Sequence, residues 1–350
     1  MFNHEYVGNV HIHSIHSDGG KNYAEIAGKA AEAGLDFIIF NDHDYLKTNL
    51  NLGDEGFYGD VLVLIGLEIG RRHHHYLAFD LKDMTRSDDL GPQGVIDDVN
   101  KQGGFGFLAH PFEKGMPFHE RSIAYTWEDL SVTGFTGICI WNFASRWKER
   151  VKTIFHGMFF LVFKNQTLKG PSSRTMTFWD DLCRHRRVVA IGGSDAHGSL
   201  FRFGPINVTP LSYDFLLRTI NIHILINRKI SKDFKNAKYD IYDAMKEGRL
   251  FIANDRLYSA RGFKFYFISD DGSDLLMGEE DHFQDGNLVV ELPGKGEIRL
   301  FKDGVRVNSW RGMEAVHRVT EQGVYRVEVY RHLSLFGWRP WIFTNSIYLR

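Results

Sequence analysis

Cysteine is almost missing from this sequence: Cys139 and Cys183 are the only two in 350 residues. Two thiols cannot staple a chain of this length, so a disulfide framework is excluded and a reducing compartment is expected. An excess of one charge is missing too. Lys and Arg number 42 against 44 Asp and Glu, a formal net charge of −2. That balance gives no support to a general role on nucleic acid or a membrane surface, although it leaves room for a local patch. Long apolar runs are also missing. The greasiest stretch, GMFFLVF at 157–163, is far too short to cross a bilayer. The start, MFNHEYVGNVHIH, runs straight into polar residues and carries no secretory pattern. A cytoplasmic protein is the expectation, and no internal repeat or low-complexity segment stands out.

What is present is the texture of a soluble globular protein, 43% hydrophobic and 25% charged. The length suggests one large domain plus a small one. Short apolar runs recur through the first two hundred residues: DFIIF (36–40), VLVLIGLE (61–68), HYLAFDL (75–81), GFGFLAHP (104–111), GICIWN (137–142) and RVVAIGGSDAH (187–197). Helical patterns lie between them. In 22–35, Tyr23, Ile26, Ala27 and Ala30 share a face; in 94–104 Val95, Ile96 and Val99 do, before a glycine stop; 178–187 is a third. Continuous apolar strands alternating with helices predict a parallel sheet covered on both faces. After about residue 255 the texture changes to alternating strands split by DDGS, QDGN and KDG turns. The expected organisation is an α/β domain over 1–221, a connecting segment with an amphipathic helix over 222–255, and an antiparallel β-sandwich domain over 256–350.

The polar, metal-competent residues fall at the ends of the apolar runs, where α/β sheets and barrels gather their chemistry. In an extended strand residues i and i+2 point the same way, so His11 and His13 can reach one ion together. A His-x-His pair alone is common and usually means nothing. Asp195 and His197 repeat the spacing, with a polar turn as the plain alternative. Both plain readings weaken because Asp42, His43, Glu68, His75 and His110 occupy equivalent positions at other runs. A metal site is expected.

These motifs are HIHSIHSDG (11–19), NDHD (41–44), GLE (66–68), HYLAF (75–79), AHP (109–111) and GSDAH (193–197). In type and order they resemble the PHP family, named for polymerase and histidinol phosphatase, over roughly residues 8–200. The resemblance implies a distorted (β/α)7 barrel, a cluster of two or three divalent ions in its mouth, and hydrolysis of phosphate esters. The C-terminal β region is similar, more loosely, to an extension on some members. Carried over by position, His11, His13, Glu68 and Asp195 would hold one ion. Glu68 would bridge to a second, held also by His75 and His110. Asp18, His43 and His197 would hold a third. Imidazoles with carboxylates suit Mn, Zn or Fe better than Mg or Ca. Ions about 3.5–4 Å apart can share and acidify one water and stabilise the leaving oxygen, so attack by a metal-bridging hydroxide is the expected mechanism, with His197 and Asp195 at the reacting centre and His197 or a metal-bound water protonating the leaving group.

Other choices are local. Of the consecutive His73, His74 and His75, His75 leads into the apolar run and is the expected ligand; His74 is expected to be solvated, and His73 could face the site. His16 is expected near the site or exposed, and His4, His119, His156, His185 and His223 belong to no motif. Cys139 stands where members of the family often carry an acidic residue, and a small core residue is the expected reading. Arg71, Arg72, Lys114, Asn142, Arg146 and Lys148 are candidates for holding substrate oxygens, each with a surface role as the alternative. Phe112 and Trp141 could stack on a base or sugar, with packing as the default. The expected partner is a small phosphorylated substrate or a short oligonucleotide, with no membrane and no duplex nucleic acid. A trimming nuclease is one alternative, and a metal-stabilised binding module without turnover is another.

Overall fold

The six strand-like apolar runs between residues 36 and 197 become strands in the computed structural model, which describes residues 4–118, 124–203 and 206–350, while GMFFLVF falls in a helix and the turn after it. In chain order the first strands are β1 (His4–Ile12), β2 (Phe37–His43), β3 (Gly56–Tyr58), β4 (Val61–Ile69), β5 (Tyr76–Phe79), β6 (Phe105–Leu108), β7 (Gly137–Asn142) and β8 (Val189–Gly193). Every residue of β2 and β4 through β8 is buried, which is why these runs show no polar alternation.

The helices are α1 (Tyr23–Glu32), α2 (Pro92–Lys101), α3 (Phe143–Lys148), α4 (Ile154–Val162), α5 (Ser173–His185), α6 (Tyr213–Leu216) and α7 (Phe234–Glu247). Helix α1 buries Tyr23, Ile26, Ala27 and Ala30 and starts on a reciprocal cap between Asn22 and Glu25. Helix α2 begins with Pro92 and buries Val95, Ile96 and Val99. Helix α5 begins five residues earlier than the 178–187 pattern suggests, because the Ser172 side chain accepts from the Thr175 N–H and caps it there.

Strands pair in the order β1, β2, β4, β5, β6, β7, β8. The β1–β2, β2–β4, β6–β7 and β7–β8 ladders are parallel, but β4–β5 and β5–β6 are antiparallel. The sheet is therefore mixed, not wholly parallel as expected. Residues 70–75 are too few for a crossover, so β5 must turn back on β4 as a hairpin.

Nor do the ladders close into a barrel. Strand β11 (Ile220–Ile226) runs antiparallel along the other edge of β1, from His4 opposite Ile226 to Gly8 opposite Ile222. Strand β8 meets β1 only beyond that stretch, through a single bridge between Ile12 and Ala196 and a few backbone hydrogen bonds.

A short hairpin, β9 (Phe201–Phe203) with β10 (Ile206–Val208), follows β8. The 222–255 span holds α7, as its amphipathic pattern suggests, and also most of β11 and all of β12 (Leu250–Asn254). Beyond it lie β13 (Lys264–Ser269), β14 (Asp274–Leu276), β15 (Glu280–Asp281), β16 (Gly286–Lys302), β17 (Val305–Val319), β18 (Gly323–Leu333), β19 (Gly337–Thr344) and β20 (Ile347–Leu349). Strand β16 pairs with β13 through its first half and with β18 through its second. The switch falls across Pro293, which cannot donate to a ladder. A second core around Phe263, Phe265, Leu288, Ile298 and Trp341 fills this region. The antiparallel β12–β19 ladder joins it to the first sheet. Among the described residues no helix is long and apolar enough to cross a membrane.

Candidate metal centre

His11 and His13 converge, but not by simple strand alternation. Strand β1 bulges at His11, whose φ is +62°, and the register against β2 skips between Val10 and Ile12. The bulge takes the His11 N–H out of the ladder, and the Asn41 side chain accepts it at 3.1 Å. His110 (φ +27°) and Asp195 (φ +54°) are also left-handed. Non-glycine residues held there cost about 1–3 kcal/mol each and persist only where the surroundings over-determine them.

Glu68, at the end of β4, receives these side chains. Its Oε2 lies 3.1 Å from His11 Nε2, 3.2 Å from His13 Nε2 and 3.2 Å from His43 Nδ1. Its Oε1 lies 2.7 Å from His75 Nδ1 and 3.3 Å from His110 Nε2. His75 reaches this mouth from the start of β5, not from a strand end, because β5 runs in reverse. Asp195 Oδ1 stands 3.6 Å from His11 Nε2, 3.5 Å from His13 Nε2 and 3.3 Å from His197 Nδ1. On the solvent side Asp18 approaches His13 Nδ1 at 3.7 Å, His43 Nε2 at 3.8 Å and His197 Nε2 at 3.3 Å. All nine side chains thus share one cluster. Only Asp18 and His197 open to solvent, with 44% and 19% of their side chains exposed.

The donor set fits divalent cations. His11 Nε2, His13 Nε2 and His43 Nδ1 are buried, make no well-formed hydrogen bond, and all face the same Glu68 oxygen. Orphaned buried nitrogens at that spacing are costly unless a cation takes their lone pairs. Ligand atoms within reach of a common point form four sets: His13, Asp18, His43 and His197; His11, His110 and Asp195; His11, His13 and Glu68; and His43, Glu68 and His75.

Neighbouring imidazoles are pushed in opposite directions. Burial pulls His11 down and takes His43 down to about 3. Burial also opposes protonation of His13, but the Asp195 and Glu68 carboxylates beside it outweigh that and raise it to about 10. For His110 burial is again outweighed, by the Glu113 charge and by Glu68, and the group rises to about 9. Glu68 and Asp195 are held well below the carboxylate range, since the surrounding imidazoles overcome their burial. The cluster holds its carboxylates charged and shares few protons, a charge pattern that cations can replace.

Supporting contacts come from Asp42, a metal-competent motif residue that joins no ligand set among the described residues, and from Glu113, Tyr213 and Trp127 outside the motifs. Glu113 Oε2 lies 3.1 Å from His110 Nδ1, a carboxylate orienting an imidazole from i+3. Asp42 accepts from the Ser14 N–H (2.7 Å), Ser17 Oγ (2.7 Å) and Tyr23 OH (3.0 Å), and so shapes the loop that carries Asp18. The Tyr213 hydroxyl lies 2.7 Å from the His13 carbonyl and 2.8 Å from that of His197. Nothing local in the sequence marks Tyr213, which is 200 residues from His13. Trp127 Nε1 donates to the His75 carbonyl at 2.8 Å.

Among the substrate candidates, Arg71 is exposed and stands 5.6 Å from the Tyr45 ring centre, and that ring lies 5.0 Å from His43. Arg72 and Lys114 are exposed. Arg146 is turned away: its guanidinium pairs with Glu149 and donates to the Gly170 carbonyl at 2.8 Å. The Asn142 carbonyl oxygen caps α3, and its amide nitrogen lies 3.5 Å from His11 Nδ1 and 3.4 Å from Asp195 Oδ2. It therefore touches the cluster itself, not an open substrate space. Lys148 places its charge near Asp195.

His73 is exposed, and His74 accepts the Glu128 and Asp129 N–H groups, so neither faces the cluster. His16 packs on Tyr23. His119 lies outside the described residues. Trp141 is fully buried and bonds the Lys169 carbonyl, which makes it a packing residue. Phe112 lies against Arg174 and Phe178. Burial, helped by the Asp195 charge, pushes the Cys139 thiol up to about 12, so it stays neutral.

No family model and no curated protein matches this chain. Among solved structures it is similar to a two-domain protein containing a predicted PHP-like metal-dependent phosphoesterase from Bacteroides vulgatus. The identity is 15%, with 98% of this chain and 95% of that chain covered and a TM-score of 0.46. It is also similar to a protein from Bifidobacterium adolescentis with a provisional assignment as a metal-dependent phosphoesterase. There the identity is 16%, with 55% and 87% covered and a TM-score of 0.31. Likenesses this distant assign no activity.

Proposed function

We propose that this chain is a metal-dependent phosphoesterase of the PHP type, in which the nine clustered side chains hold two or three divalent ions (Mn, Zn or Fe). The observation that carries the reading is Glu68, a buried carboxylate with five imidazole nitrogens within 3.3 Å. A carboxylate so surrounded is suited to bridging two cations. On this reading the open arrangement of β1, β2 and β4 through β8 is a distorted relative of the (β/α)7 barrel, and the C-terminal strands are a sandwich-like appendage. When bound, the ions would supply charge neutralisation and an acidified water.

The chain's own residues do the rest. With two ions held deeper in the cluster, His197, at the solvent edge between Asp18 and Asp195, is left to hand a proton to a departing oxygen; with a third ion it would be a ligand instead. Arg71, steadied on Tyr45, offers a cation to the non-bridging oxygens at the mouth. Asn142 and Glu113 fix the imidazoles of His11 and His110. The substrate is a small phosphate monoester, which suits a mouth where only Asp18 and His197 of the cluster meet solvent. A cytoplasmic setting accords with two free, buried cysteines.

The test is metal content together with phosphate release from a panel of nucleotides, sugar phosphates and short oligonucleotides. Wild type should carry metal and release phosphate, and Glu68→Ala should lose both by at least about a hundredfold. Undiminished turnover in that variant would sink the assignment. Release of single nucleotides with no action on monoesters would instead make the protein a nuclease.

A further inference from the structure

A cavity of about 540 Å³, with no residue of the histidine cluster among its described lining residues, lies between the α1–β2 turn, the segment after α4, helix α6 and the β12–β13 connection. Four cationic side chains line it: Lys164, Arg218, Arg256 and Arg261. Against them stands one acid among its described lining residues, Asp255, and that carboxylate is already engaged. Its Oδ2 takes His223 Nε2 at 2.9 Å and Asn221 Nδ2 at 3.0 Å, and its Oδ1 takes the Ala260 N–H at 2.9 Å.

The cations are not equivalent. Arg261 pairs with Asp36 at 2.9 Å, and Arg218 donates to the Glu32 carbonyl. Lys164 and Arg256 instead share one aromatic ring, standing 4.1 Å and 4.8 Å from the centre of Phe215. Lys164 donates to the Pro210 carbonyl at 2.6 Å, and among the described residues neither cation makes an ion pair. Burial and the Arg256 charge together push the Lys164 ammonium down, so the two charges stand close enough to repel one another. A molecule of net charge −2 has thus concentrated like charges around one hollow.

We propose that this cavity binds a phosphate-bearing small molecule, with Lys164 and Arg256 holding the phosphate oxygens beside Phe215. A monocarboxylate would neutralise one of the two cations. A phosphate dianion matches both and offers acceptor oxygens for a guanidinium fork and an ammonium together. The volume is that of a small-molecule site, larger than the anion needs, and Val7, Leu35 and Val162 give the remainder apolar walls for an organic body.

The inference stands apart from the metal reading, because none of these residues belongs to the histidine cluster. Calorimetric titration of the full-length, metal-loaded protein with inorganic phosphate tests it, with wild type, Arg256→Gln and Lys164→Gln in parallel. Wild type should bind, and each variant should bind at least about tenfold more weakly while keeping its metal content and melting temperature. Acetate should compete poorly. Equal phosphate affinity in wild type and both variants would place the anion elsewhere, the metal cluster included, and overturn the proposal. So would the lack of any heat at roughly 10 mM phosphate. Glu68→Ala serves as the counter-control: it should keep the titration that Arg256→Gln loses.

Discussion

Glu68 is fully enclosed, and a buried carboxylate survives only with charge-assisted partners. Its partners are themselves positioned by residues one layer out, so single changes there should act on metal affinity without touching a ligand. Glu113→Gln removes the carboxylate that orients His110. It should weaken metal binding by about 10–100-fold while leaving the melting temperature nearly unchanged, as read by competition with a chelator. A second buried imidazole carries a different kind of consequence. His223 lies between Glu5 at 2.5 Å and Asp255 at 2.9 Å, and their charges outweigh its burial and raise it to about 9. Because the folded value exceeds the usual 6.5, the stabilisation is fully present below pH 6.5 and is lost as pH rises through about 9. His223→Gln should therefore destabilise by on the order of 3 kcal/mol at pH 6 and by much less above pH 9.5. Urea melts of both proteins across that range would show it, and a difference independent of pH would refute the charged imidazole.

Among elements, the approach of β8 to β1 is what closes the cluster. A Cβ at Gly193 would stand 2.9 Å from the His11 Cβ and 2.9 Å from the Val10 carbonyl oxygen, closer than either can accept. Gly193→Ala should separate the two strands, cost about 1–3 kcal/mol and lower metal content. Normal metal loading with normal stability would mean that the gap between strands can relax. The elements are legible in the sequence wherever burial is total. The runs in β2 and β4 through β8 have no exposed face, so their composition announces them. Strand direction was not readable in the same way. The reversal of β5 depends on the short 70–75 link, and the bulge at His11 depends on contacts with Asn41 and Gly193 that lie far away in the chain. His11 and His13 face the same Glu68 oxygen, and the geometry that brings them there is a bulge rather than alternation.

At the scale of the whole molecule two cores share one framework. Beyond the β12–β19 ladder, Arg326 of β18 is buried and grips Asp180 of α5 through two hydrogen bonds, 2.6 and 2.8 Å, and Glu328 through a third, 2.7 Å. Burial works against its charge, but the two carboxylates more than compensate, and the guanidinium is held charged. Arg326→Met would leave Asp180 and Glu328 buried without their cation, and should destabilise by about 3–5 kcal/mol. With the framework intact, calorimetry should show a single unfolding transition in wild type. The variant should broaden or split that transition, and two well-separated transitions in wild type would contradict the coupling.

By itself the sequence determined the strand inventory, the helical faces and the identity of the clustered histidines and acids, because burial and metal-competent chemistry are written locally in residue type and spacing. It did not determine which edge β8 would find, that β11 would occupy β1, that Arg146 would turn to Glu149, or that Tyr213 would pin His13 and His197. Nor did it show Lys164 and Arg256 meeting over Phe215. Those outcomes are set by contacts between segments tens to hundreds of residues apart, whose register only the assembled sheet can choose.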